Sequence, residues 1–150
     1  MDSCIFCKIY KGDIDSAKFW EDDNFFAILD LNPNTKGMSL VLPKQHFDSY
    51  IFDMPDDTYQ GLLVASKKVA KLLEKALGVK RVALVMEGMG VNHAHVKLYP
   101  MYGTEESSIE MGGHFTASFE KYPGYITTVL GPKSDVEYLK ILAKDIKSKA

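Results

Sequence analysis

The chain has 150 residues, 46% of them apolar and 25% charged, with a formal net charge of -2. That composition belongs to one folded domain and excludes a disordered chain, and the weak net charge excludes the broad basic field that holds polymeric nucleic acid. No stretch reaches the roughly eighteen apolar residues of a membrane span, and Met1-Asp2-Ser3-Cys4 lacks the basic and apolar regions of a signal peptide, so a cytoplasmic protein without membrane contact is expected.

Cys4 and Cys7 are the only cysteines. Their Cys-x-x-Cys spacing in a reducing compartment suggests a metal site or a redox pair sooner than a structural disulfide. Residues 18–31 then read as two short apolar strands around a polar turn at 21–24, which is a hairpin. Residues 38–43 form a third strand closed by Pro43, with His46 just beyond. Over 56–77 the apolar residues Leu62, Val69, Leu72, Leu73 and Ala76 recur at helical spacing, with acidic residues at the front and Gly78 as a stop signal. Residues 81–86 read as a strand, Gly88-Met89-Gly90 as a tight turn, and 91–99 as the partner strand. The stretch 103–131, punctuated by glycine and proline, carries no assignable pattern. Ser134-Asp135-Val136-Glu137 is a capping-box pattern that opens an amphipathic helix carrying Leu139, Leu142, Ala143 and Ile146. Strands in succession around one long helix, with a second helix at the C-terminus, predict an α+β fold built on an antiparallel meander.

The chemistry concentrates at His93-Ala94-His95-Val96-Lys97. In a strand alternate side chains share a face, so His93, His95 and Lys97 should line one surface while Ala94, Val96 and Leu98 enter the core. Neighbours on that face lie roughly 6.5 to 7 Å apart at the backbone, so adjacent histidines can share one metal or serve two tasks. Half of the four histidines in the chain stand in this alternation, after a glycine turn and beside a lysine, which is more than a strand with a basic face requires.

Four segments carry a wider resemblance: Ile5-Phe6-Cys7-Lys8-Ile9, Ala27-Ile28-Leu29-Asp30-Leu31-Asn32-Pro33, Leu40-Val41-Leu42-Pro43-Lys44-Gln45-His46 and Gly90-Val91-Asn92-His93-Ala94-His95. In this order, over roughly 3–102, they resemble the histidine triad family of nucleotide-binding hydrolases and nucleotidyl transferases. The resemblance implies one HIT-like domain over 1–150, with 103–150 as a C-terminal extension.

By that resemblance His95 is the nucleophile that attacks the α-phosphorus of a nucleotide, giving a covalent nucleotidyl-histidine that water or another acceptor resolves. Lys97 stands where the family has its third histidine and becomes an electrostatic partner of the phosphate. Gly90 stands where several members carry a serine that supports the leaving group. Asp30 corresponds to an aspartate that accepts the ribose hydroxyls, and Ile5, Phe6, Ile9 and Ile28 to the apolar slot for the base. Cys4, Cys7, His46 and His93 match the ligands of zinc-containing members, and two sulfurs with two nitrogens suit tetrahedral zinc. Four protein ligands leave no open position, so the expected role is structural. Dinucleoside polyphosphates or nucleoside phosphoramidates are the expected substrates, and a homodimer with a shared sheet is the expected assembly. A nucleotide sensor with little turnover is the alternative. His114 is read as a solvated loop histidine.

Overall fold

The computed structural model describes residues 3–104 and 132–149. In chain order it contains helix α1 (Ile5–Lys11), strands β1 (Lys18–Glu21), β2 (Phe25–Leu29) and β3 (Ser39–Pro43), a 3-10 turn (Ile51–Asp53), helix α2 (Asp56–Leu77), strands β4 (Val82–Val85) and β5 (Val96–Pro100), and helix α3 (Val136–Ser148). The strands form one antiparallel sheet in the order β1-β2-β3-β5-β4. The α+β expectation holds, and the last hairpin is laid so that β5 is interior and β4 forms an edge.

Local chemistry accounts for the first hairpin. Asp22 Oδ1 accepts the backbone N–H groups of Asn24 and Phe25 at 3.1 and 2.9 Å, an Asx turn that reverses the chain between β1 and β2. Strands β2 and β3 are buried on both faces, which is why they read as continuous apolar runs. One face of the sheet, with Ala27, Leu29, Val41, Val96 and Leu98, packs against Leu62, Val69 and Leu73 of α2 and Leu139, Leu142 and Ile146 of α3. The other face, with Phe26, Ile28, Leu40 and Leu42, packs against Phe6 of α1.

Helix α2 has the expected bounds, and all five residues expected on its inner face are buried. Asp56 and Asp57 lie in its first turn, and Gly78 closes it at φ 69° with its N–H on the Glu74 carbonyl. Ser66 sits fully buried on the same face and is satisfied by donating to the Leu62 carbonyl at 2.7 Å.

Three expectations need correction. Helix α1 is absent from the sequence reading, since its seven residues span too few turns for a periodic pattern. The strand expected over 91–99 begins only at Val96. Its approach spends its backbone groups elsewhere: the His93 N–H goes to the Val91 carbonyl at 2.8 Å and the Ala94 N–H to the Phe47 carbonyl at 2.9 Å. The cap of α3 is Asp135 and not Ser134, its carboxylate accepting from the N–H groups of Glu137 and Tyr138 at 2.7 and 3.2 Å. His114 and most of 103–131 lie outside the described residues. Among the described residues, no helix is long and apolar enough to cross a membrane.

Candidate active site

The alternation at 93–98 holds even where the strand does not. Ala94, Val96 and Leu98 are in the main core, while His93, His95 and Lys97 face the other way. That second face is not a solvated surface. His93, His95 and Lys97 are 0%, 4% and 8% exposed, because α1 covers it, with the Phe6 ring edge-on to both imidazoles at 5.8 and 5.6 Å between centroids. Buried polar groups need partners, and each of the three has a different one.

His93 Nε2 donates to the Pro43 carbonyl at 3.0 Å, which fixes the tautomer and leaves the Nδ1 lone pair free. Nδ1 lies 3.4 Å from Cys4 Sγ, 3.6 Å from Cys7 Sγ and 3.3 Å from His46 Nδ1, and Cys7 Sγ lies 3.6 Å from His46 Nδ1. All four ligand atoms fall within 4.8 Å of one another. Tetrahedral angles with bonds of roughly 2.0–2.1 Å to nitrogen and 2.3 Å to sulfur require about 3.3 Å between nitrogens and about 3.6 Å from nitrogen to sulfur. The four pairs just given match that spacing. The four residues come from α1, its leading residue, the loop after β3 and the approach to β5.

His95 Nδ1 donates to the His93 carbonyl at 2.7 Å, so the free lone pair belongs to Nε2. Burial is the largest influence on this ring and holds its pKa below the usual histidine range; the nearby Lys97 charge acts in the same direction. The bond to the His93 carbonyl and the Asp30 and Glu87 carboxylates oppose it. The result is a neutral imidazole with one nucleophilic nitrogen.

Lys97 Nζ pairs with Glu87 Oε1 at 2.8 Å, the two side chains being 10% and 17% exposed. Glu87 was missed by the sequence reading. The available signal was the burial of a lysine in an alternating strand, which demands a countercharge nearby, and Glu87 lies just across the glycine turn. Tyr99 continues the same face. Burial first, then the Glu87 and Asp30 carboxylates, push its hydroxyl up to about 12.

The glycine turn is shaped by contact. Gly88 has φ +69°, and a Cβ there would stand 2.8 Å from the Ser49 carbonyl oxygen, so only glycine fits. Ser49 Oγ donates to the Gly88 carbonyl, the Ser49 N–H donates to Asn92 Oδ1, and Asn92 Nδ2 donates to Asp48 Oδ1, each at 2.9 Å. The loop that carries His46 is thereby clamped to the turn that leads into His93.

A cavity of about 320 Å³ opens beside this segment. Its wall contains every residue expected to touch a nucleotide, Ile5, Phe6, Ile9, Ile28, Asp30 and Gly90, together with His95 and Lys97. Phe6 and Ile28 are buried at its floor, whereas Ile5 is 44% exposed at its rim. Asp30 is buried and accepts the Asn32 N–H at 2.8 Å. The sequence reading missed Met89 and the contribution of α3, whose Val136 and Leu139 form part of the wall. A larger cavity of about 400 Å³ beside Tyr10, Lys44 and Asp57 has neither histidine nor cysteine in its lining.

The HIT domain model matches residues 11–103. The chain belongs to the HIT family. The matched span includes Ile28, Asp30, His46, Gly90, His93, His95 and Lys97, while Cys4, Ile5, Phe6, Cys7 and Ile9 precede it. An uncharacterised HIT-like protein of Methanocaldococcus jannaschii is 36% identical, over 73% of this chain and 87% of its own. The adenosine 5'-monophosphoramidase hnt1 of Schizosaccharomyces pombe is 33% identical over 98% of both chains. Among solved HIT structures, a hypothetical histidine triad nucleotide-binding protein from Sulfolobus tokodaii superposes with a TM-score of 0.74 at 26% identity, covering 97% of this chain and 91% of that one.

Proposed function

We propose that this HIT protein is a nucleotidyl hydrolase or transferase in which His95 Nε2 attacks the α-phosphorus and carries the nucleotidyl group until water or another acceptor takes it. The observation that carries this reading is the 2.7 Å bond from His95 Nδ1 to the His93 carbonyl, which leaves a neutral Nε2 in a ring that borders the cavity. The name of the yeast relative supports phosphorus chemistry on an adenine nucleotide. In this reading Ile5, Phe6, Ile9 and Ile28 receive the base, Asp30 accepts the ribose hydroxyls, and Gly90 leaves room at the leaving group. Lys97 takes the place of the third triad histidine and balances charge on the phosphate. Dinucleoside polyphosphates and nucleoside phosphoramidates are the substrate classes considered.

Cys4, Cys7, His46 and His93 would hold zinc, whose chemistry here is to cross-link α1 to the approach of β5. Through the His93 carbonyl, that cross-link also orients His95. The exposed edge of β4, with Leu84 44% exposed, supports a homodimer that continues the sheet. The packing of α3 on the core beside β1 and α2 supports a single domain over 1–150 with 103–150 as its extension. A cytoplasmic location agrees with this chemistry.

The test is a panel of adenylylated substrates with mass detection of an adduct on His95. Wild type should turn over at least one substrate, and His95→Ala should keep nucleotide binding while losing turnover. One observation favours the sensor reading instead: Lys97 is engaged by Glu87. That reading requires wild type and His95→Ala to be equally slow on the whole panel.

A further inference from the structure

The kind of bond this site breaks can be narrowed from the groups around His95. A lysine ammonium is a strong point charge but a weak acid, ordinarily titrating near 10.4, whereas a general acid works best with a pKa close to the operating pH. The Lys97 ammonium is further occupied by Glu87, in a pair that is largely out of water. Asp30 accepts a backbone N–H, and carboxylates act as acceptors in that role. The Tyr99 hydroxyl, pushed up to about 12, keeps its proton. His95 uses one ring nitrogen on a carbonyl and needs the other for attack. Among the described residues, the site offers positive charge to a leaving group and no proton suited to neutral pH.

Resting on the nucleotidyl-histidine reading, we propose that the Lys97–Glu87 pair selects nucleotides joined through a bridging oxygen to an acid group such as phosphate, sulfate or carboxylate, and discriminates against phosphoramidates. With such a substrate the His95 Nε2 lone pair forms a bond to the α-phosphorus while the bridging P–O bond breaks. Its electron pair departs on an oxyanion that needs no proton and that the Lys97 ammonium stabilises. Water then attacks phosphorus, the P–N bond to His95 breaks with its electron pair returning to Nε2, and the proton of the attacking water passes to solvent. A phosphoramidate differs in the first step, because its nitrogen must gain a proton as the P–N bond breaks. Glu87 is a positioning residue here: it fixes where the ammonium sits.

The test compares kcat/KM for adenosine phosphosulfate and adenosine phosphoramidate in the intact protein. Wild type should favour the sulfate by roughly a hundredfold, the lower end of what a positioned general acid contributes. Lys97→His should move that ratio toward the phosphoramidate by about tenfold or more. Glu87→Gln should lower kcat for the sulfate by about tenfold with little change in KM, since it displaces charge in the transition state, and Glu87→Asp should recover part of the loss. Equal efficiency on both substrates in wild type overturns the inference while leaving the nucleotidyl-histidine reading intact, and this comparison needs no variant to fold. Failure to turn over either substrate or a dinucleoside polyphosphate, with no adduct on His95, overturns that reading and this inference together.

Discussion

His93 and Lys97 stand four residues apart on one face of one segment, yet they are held in opposite ways. The partners of His93 come from far along the chain, Cys4, Cys7 and His46, and meet it at 3.3 to 3.6 Å. The partner of Lys97 is Glu87, across the adjoining turn. The first arrangement ties distant elements together and so acts on stability and on the placement of His95. The second sets the charge beside His95 and, in the proposed reaction, acts on the chemistry. His95 lies between them, oriented by one neighbour and flanked by the charge of the other.

Substitutions that separate the two ends should break that division if it is wrong. The largest expected effect on stability is at the distant cluster: Cys7→Ser should cost about 3 kcal/mol or more, a fall of roughly 6–12 °C in Tm, read by thermal unfolding. Chelation of the wild-type protein should approach the same Tm, and activity should fall with it because the His93 carbonyl orients His95. Unchanged Tm after complete metal removal would show that the cluster is not a cross-link. Gly88→Ala should follow, at about 2 kcal/mol, since it strains a positive φ and drives a Cβ onto the Ser49 carbonyl. Denaturant unfolding measures it. Glu87→Gln should cost about 1.5–3 kcal/mol, the range of a hydrogen bond to a charged group, and at this end a loss of activity in the folded protein should accompany the loss of stability. Ser49→Ala removes the bond to the Gly88 carbonyl and should cost about 1 kcal/mol, with the midpoint in urea shifting and the slope unchanged.

The same division explains what was legible in the sequence. Helix α2 was readable to its ends because twenty-two residues repeat the pattern several times and Gly78 supplies a left-handed stop. The hairpin of β1 and β2 was readable because Asp22 is a turn residue acting on its own neighbours. Alternation at 93–98 correctly sorted core from site, although hydrogen bonds to Val91 and Phe47 keep the first residues of that stretch out of the ladder. The four expected zinc ligands were brought together by resemblance, since no local pattern links Cys4 to His46 or His93. Helix α1 was hidden by its shortness and by the lack of any side-chain cap at Cys4. Met89 and Val136 were missed because they join the cavity wall only when the turn and α3 fold against it, a tertiary fact that spacing does not encode. Glu87 was missed, although Lys97 called for a countercharge, because the burial of that face appears only in the folded chain.

In the proposed reaction His95, held by the His93 carbonyl, is the nucleophile toward phosphorus. This role is tested most directly by a rapid quench of wild-type protein with adenosine phosphosulfate into alkaline denaturant, which preserves the acid-labile P–N bond, followed by peptide mass mapping at alkaline pH. An adenylyl group on His95, absent from His95→Ala and turned over at the rate of product formation, is the expected result. Product formation without any adduct on His95, or an unchanged rate in His95→Ala, would contradict it.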